Sequence, residues 1–190
     1  MTTSHPAPQI KAFFDSATNT ISYLVADPVT RRAAVIDPVL DFDQRDGTVD
    51  IRSVEAILAA ANRERLTIEW VLETHAHADH LSGAPYIKSR TGARIGIGEH
   101  IKDVQRIFRP VFNAEDLRTD GSDFDRLFTD GETRSLSRVR GRAGVGGCLR
   151  RRRCRSGESP HPALRADLPR KRERLARLRG LAGFEDTRSL

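Results

Sequence analysis

The chain has 190 residues, enough for one domain with a real core. Its formal net charge of +6 is unevenly divided: residues 1–133 carry 15 Lys+Arg against 21 Asp+Glu, and residues 134–190 carry 17 against 5. The basicity therefore belongs to the C-terminal stretch and gives no reason to expect a nucleic-acid surface on the rest. No apolar run approaches the ~20 residues of a membrane span, and Met1 to Gln9 lacks the basic and apolar regions of a secretory signal. A soluble, cytoplasmic protein is expected.

The elements follow in order. Ile10 to Asp15, Thr20 to Val25 and Ala33 to Ile36 are short apolar or β-branched runs separated by turn residues, among them Asp27-Pro28 and Asp37-Pro38. They predict an antiparallel meander. From Val49 to Arg65 the period changes. Ile51, Val54, Ile57, Leu58 and Ala61 recur at helical intervals and share one face. Ile68 to Glu73 returns to a strand. A second helix is predicted from Leu81 to Arg90, ended by Thr91-Gly92. A strand at Arg94 to Ile97 and a helix from Glu99 to Phe108, before Pro110, come next. Phe124, Leu127 and Phe128 then lead to the turn Asp130-Gly131, beyond which the periodic signal fades. Strands first, then helix and strand in alternation, predict an α+β sheet covered by helices.

Three of the six histidines fall in Thr74-His75-Ala76-His77-Ala78-Asp79-His80. Imidazole and carboxylate are the common ligands of zinc and iron. Buried without a cation, these side chains would be costly to desolvate. His75 and His77, two apart at a strand end, project toward the same side. Asp79 and His80 lie where the next helix is expected to begin and can face the same cavity from another direction. The metal candidates are His75, His77, Asp79 and His80. His5, His100 and His161 stand alone and read as packed or solvated residues. Cys148 and Cys154 flank a run of four arginines and read as reduced thiols.

Thr-His-x-His-x-Asp-His resembles the signature of the metallo-β-lactamase fold. Ala33-Ala34-Val35-Ile36-Asp37-Pro38-Val39-Leu40 is similar to the segment before the first helix in the persulfide dioxygenase and glyoxalase II branches, its Asp-Pro-Val-Leu form leaning toward the first. Ile95 to His100 and Asp130-Gly131-Glu132 also sit where such proteins place a strand, a helix and the next hairpin. The likeness runs from about Pro8 to Thr133. It implies the N-terminal half of a metallo-β-lactamase αβ/βα sandwich, followed from Arg134 by an irregular basic tail.

The resemblance also implies chemistry. In two-metal members the positions of His75 and His77 bind one metal and those of Asp79 and His80 the second. In persulfide dioxygenases a single iron(II) uses two histidines and one aspartate. There only the position of His75 is a direct ligand, and His77, Asp79 and His80 support it. Mononuclear Fe(II) is the first expectation and two Zn(II) the alternative, with Asp79 the candidate catalytic carboxylate. The implied substrate is a small thiol derivative, glutathione persulfide for a dioxygenase or a thioester for a glyoxalase II-type hydrolase. The resemblance leaves the oligomeric state open between monomer and dimer.

The family continues with a His-bearing Thr-Pro-Gly-His-Thr loop, a Gly-Asp pair and a final histidine, none of which this sequence contains. His161 lies in Ser-Pro-His-Pro, and Asp167 follows Ala166. The change in composition at Arg134 reads as out-of-frame translation of a GC-rich gene. Arg170 to Arg179 could instead form a basic, phosphate-contacting helix, but it lacks interleaved aromatics and any binding module. An inactive remnant or basic nucleic-acid-binding protein is thus a third reading, with nucleic acid the less favoured partner. Either enzymatic reading implies little turnover by these 190 residues, because open metal sites need about three protein ligands.

Overall fold

The computed structural model of the chain describes residues 6–136 and 139–142. His5, His161, Asp167, both cysteines and the Arg170 to Arg179 stretch lie outside the described residues. Strands β1 (Gln9–Asp15), β2 (Thr20–Ala26) and β3 (Arg32–Ile36) form the expected antiparallel meander, with Gln9 opposite Ala26 and Tyr23 opposite Ile36. The first turn is built by the Asp15 carboxylate, which accepts from the backbone and hydroxyl of Thr18. The second is built by Asp27, buried and accepting from Val29 N–H and the Thr30 hydroxyl. Asx turns of this kind are the reason Asp punctuates strands.

From β3 the sheet becomes parallel. β6 (Thr67–Glu73) pairs with β3, β8 (Arg94–Gly98) with β6, and β9 (Arg126–Phe128) with β8, giving the order β1-β2-β3-β6-β8-β9. Helices α1 (Arg52–Arg63), α2 (Ala84–Thr91) and α3 (Ile101–Val111) fill the connections that parallel strands require. Val54, Ile57, Leu58 and Ala61 of α1 are buried as their spacing predicts, whereas Ile51, expected on the same face, stands just before the helix and is exposed. The four buried residues join Leu24, Val35, Ile68, Val71, Ile87 and Ile95 in one core beneath α1 and α2. On the other face, Ala34, Trp70 and Phe128 form a small second cluster, with Leu72 and Leu136 against it. A β-carbon on Gly96 would collide with the Phe128 ring, so this position is glycine for the close approach of that ring.

Several boundaries differ from expectation. Val49–Asp50 is strand β5, and α1 begins only at Arg52. Leu81–Ser82 is strand β7, and α2 begins at Ala84 with proline in its first turn. Both short strands flank β4 (Val39–Phe42), which follows the Asp37-Pro38 turn and was not expected as an element. Leu40 faces Leu81, a pairing across 41 positions that local pattern does not encode. Helix α3 runs through Pro110, since every residue from Arg106 to Val111 is exposed and water can serve the carbonyl that proline leaves unpaired. Past Thr133, where alternation fades, β10 (Thr133–Leu136) and β11 (Val139–Arg142) form an antiparallel hairpin within the stretch expected to be irregular. Among the described residues no helix is long and apolar enough to cross a membrane.

Candidate metal centre

The site lies where β3 and β6 end side by side. Ile36 is level with Leu72, and Asp37 N–H continues the ladder to Leu72 O at 3.0 Å. Asp37 then takes a left-handed conformation, φ 46°, which Asp tolerates better than most residues. The turn is pinned by Ser22, whose hydroxyl donates to Asp37 O at 2.8 Å and accepts from Val39 N–H at 3.3 Å. The Asp37 carboxylate thereby reaches over the end of β6. It accepts from Thr74 N–H at 2.7 Å and from the Thr74 hydroxyl at 2.6 Å. The start of the histidine loop is held by the end of the neighbouring strand.

The far end of the loop is held as firmly. Ser82 pairs with Val39, and Gly83 N–H donates to Pro38 O at 2.7 Å. A β-carbon on Gly83 would overlap Val54 of α1, so the loop returns to the core through the one residue that fits beneath that helix.

Between these anchors the three imidazoles pack together. The His75 and His77 rings are 4.2 Å apart between centroids, as are His77 and His80. His77 Nε2 lies 3.0 Å from both Asp37 Oδ1 and Glu73 Oε2, with all three side chains largely buried. Burial opposes the charged ring, but the hydrogen bonds to Asp37 and Glu73 and their negative charges outweigh it, and the His77 pKa is pushed up to about 9. Burial would likewise raise Asp37, yet His77 and Thr74 hold its carboxyl below the ordinary range. Asp79 follows the same pattern: burial raises its pKa, while its own backbone N–H, the Thr20 hydroxyl at 3.0 Å and the charges of His80 and His77 bring it down. Asp37 and Asp79 are carboxylates at neutral pH.

His80 carries the most telling atom. Its Nδ1 donates to Leu81 O at 2.9 Å, which leaves Nε2 as a lone pair. That Nε2 is buried, on a residue 9% exposed, and has no hydrogen-bond partner. A buried acceptor without a partner costs about 1–3 kcal/mol. One ligand atom each from His77, Asp79 and His80 lies within 4.8 Å of the others. The same holds for Asp37, His75 and His77. Each set is two histidines and one carboxylate. The outer nitrogen of His77 is engaged by carboxylates and that of His80 by a carbonyl, the arrangement that orients metal ligands. This donor set fits a divalent transition metal.

The four residues singled out in the sequence, His75, His77, Asp79 and His80, are thus brought to one place. Asp37, Glu73, Ser82 and Thr20 also belong to it and were not singled out. Asp37 looks like an ordinary turn residue before proline. Glu73 was the readable signal, a carboxylate ending an otherwise apolar buried strand. His100 is exposed and only pairs with Asp103 on α3.

Residues 17–146 match the metallo-beta-lactamase superfamily. With the α+β fold and the histidine loop in place, the chain belongs to that superfamily. It is 47% identical over 135 residues to a beta-lactamase hydrolase-like protein of Xylella fastidiosa, covering 71% of this chain and 31% of that one. It is 40% identical over 126 residues to glyoxylase B2 of Dictyostelium discoideum, covering 65% and 43%. It is 30% identical over 80 residues to the mitochondrial persulfide dioxygenase ETHE1 of Bos taurus, covering 42% and 27%. Among solved structures, ETHE1 from Myxococcus xanthus aligns with a TM-score of 0.50 and 25% identity, over 70% of this chain and 45% of that one. The chain spans less than half the length of each of these proteins.

Proposed function

We propose that the Thr74–His80 loop holds a transition-metal ion in an enzyme that acts on small thiol derivatives, with oxidation of glutathione persulfide at one iron(II) as the first reading. The observation that carries the metal is the cluster of one ligand atom each from His77, Asp79 and His80, together with the buried, unpartnered Nε2 of His80. Support for the persulfide comes from the likeness to the two ETHE1 proteins and from the Asp37-Pro38-Val39-Leu40 segment. His77, Asp79 and His80 are the donor set that would hold the ion, which departs from the persulfide dioxygenase resemblance, where the position of His75 is the direct ligand and these three support it. Bound iron(II) would supply redox chemistry toward oxygen and sulfur. The protein's part is to keep Asp37 and Asp79 ionised, to fix the proton on His77 Nε2 and His80 Nδ1, and to leave Asp79 at the exposed side of the site, where a substrate can enter.

Hydrolysis of a thioester with two zinc ions is the second reading. It is favoured by the higher identity to the hydrolase-like and glyoxylase proteins and by the second donor set, Asp37, His75 and His77. There the metals would supply Lewis acidity for a water. The two readings separate in one experiment on the purified full chain. One iron per chain and oxygen uptake with glutathione persulfide, slow because these 190 residues supply few of the family's ligands, support the first. Two zinc ions per chain and release of thiol from S-lactoylglutathione without oxygen uptake overturn it in favour of the second.

A further inference from the structure

Glu73 is buried, 7% exposed, at the end of the central strand, and both of its carboxylate oxygens are used. Oε2 lies 3.0 Å from His77 Nε2. Oε1 accepts the hydroxyl proton of Ser82, nine residues on at the other end of the loop. Ser82 Oγ in turn accepts from Ala84 N–H at 3.0 Å, in the first turn of α2. An unbroken run of hydrogen bonds therefore links the start of α2, through Ser82 and Glu73, to the central imidazole of the histidine loop. Burying a carboxylate is costly unless it is fully bonded, and here the bonds go to the two flanks of one loop.

We infer that Glu73 is a positioning residue for the metal site, clasping Ser82 and His77 so that His77 carries its proton on Nε2 and presents Nδ1 to the space it shares with Asp79 and His80. This rests on the metal reading of the loop proposed above. The argument is one of donors and acceptors. Carboxyl oxygens of Asp37 and Glu73 both face His77 Nε2, and a carboxylate oxygen only accepts. The proton must be on Nε2, and Nδ1 is the nitrogen left for a cation. Asp37 shares in holding that proton, but only Glu73 also ties the ring to the loop's exit. Glutamine at this position has one acceptor oxygen for two donors. Its NH₂ must then meet either the Ser82 hydroxyl or the ring, and against the ring it favours the opposite tautomer.

The test uses the full chain as wild type, Glu73→Gln, Ser82→Ala and Lys88→Ala, the last a residue of α2 whose surface pair with Asp125, just before β9, is broken. Cobalt(II) affinity is measured by chelator competition. The His77 ring nitrogens are followed by ¹⁵N NMR in zinc-loaded protein and in metal-free protein at high pH. Glu73→Gln is expected to weaken cobalt binding about 10–100-fold and to populate the Nδ1–H tautomer. Ser82→Ala, which keeps the charge but frees Oε1, should weaken binding less, and Lys88→Ala should change neither readout. A clasp that merely held the loop would lower stability and leave the tautomer alone. Wild-type affinity and tautomer in Glu73→Gln would overturn the inference. If that variant fails to fold, the same result in Ser82→Ala would overturn it. If wild type binds no cobalt, the metal reading fails, while a tautomer shift in metal-free Glu73→Gln still supports the positioning role.

Discussion

The two faces of the main sheet are packed to different degrees. Beneath α1 and α2, Val35, Val54, Ile57, Val71 and Ile87 are almost completely excluded from water. On the opposite face Ile10, Phe14 and Ile21 of the meander are exposed, and among the described residues the buried cluster is Ala34, Trp70 and Phe128, with Leu72 and Leu136 against it. The histidine loop depends on the packed face, because Asp37, Glu73 and Gly83 are all placed by strands and helices that bury side chains there. The site's precision should therefore fail with the helix-covered core and be indifferent to much of the open face.

The largest effect is expected from that core. Ile57→Ala or Ile87→Ala should cost about 2–5 kcal/mol in urea unfolding, the usual range for emptying a packed site, and should loosen metal binding in parallel. A loss below 1 kcal/mol would mean the two faces do not differ in packing as described.

Next come the glycines. Gly83→Ala, pressed against Val54, and Gly96→Ala, pressed against Phe128, should each cost about 1–3 kcal/mol from overpacking. Only Gly83→Ala should also disturb metal affinity, since Gly96 lies on the other face. Equal effects on affinity would break that assignment.

A pH titration of the metal-free protein should come third. The folded His77 pKa of about 9 lies above the ordinary 6.5, so its contribution is fully present below pH 6.5 and lost as pH rises toward 9. Asp37, held below the ordinary carboxylate range, contributes above that range and loses its contribution in acid. Denaturant midpoints in the presence of a chelator should therefore fall on both sides of a weakly acid optimum. A midpoint that rises between pH 6.5 and 9 would contradict the His77 environment.

The smallest effect belongs to the open face. Phe14→Ser or Ile10→Thr should stay within about 0.5 kcal/mol in the same assay, the ordinary range for exposed positions.

Much of the fold is legible in the sequence where one element supplies its own pattern. The apolar spacing of α1 and the β-branched runs of β2 and β6 mark elements that bury a continuous face. The His-x-His-x-Asp-His spacing is legible for the same reason, since one loop carries all four side chains. What escapes notice depends on partners far along the chain. Strands β4, β5 and β7 are two to four residues long and exist because Leu40 meets Leu81 and Asp41 meets Asp50. Asp37 and Glu73 look like a turn residue and a strand-end charge, and become parts of the site only when β3 and β6 lie side by side. The hairpin of β10 and β11 likewise rests on pairing that the Arg- and Gly-rich sequence does not announce through apolar alternation.

The most direct test of the metal reading is cobalt(II) titration of the purified full chain beside His80→Ala. The account predicts saturable binding by the wild type, with the absorption bands of a nitrogen- and oxygen-ligated ion. In His80→Ala, which removes the buried unpartnered nitrogen, affinity should fall by at least about 100-fold, the scale of a lost ligand exceeding that of a lost supporting contact. Identical isotherms for the two proteins, or no saturable binding by the wild type, would contradict it.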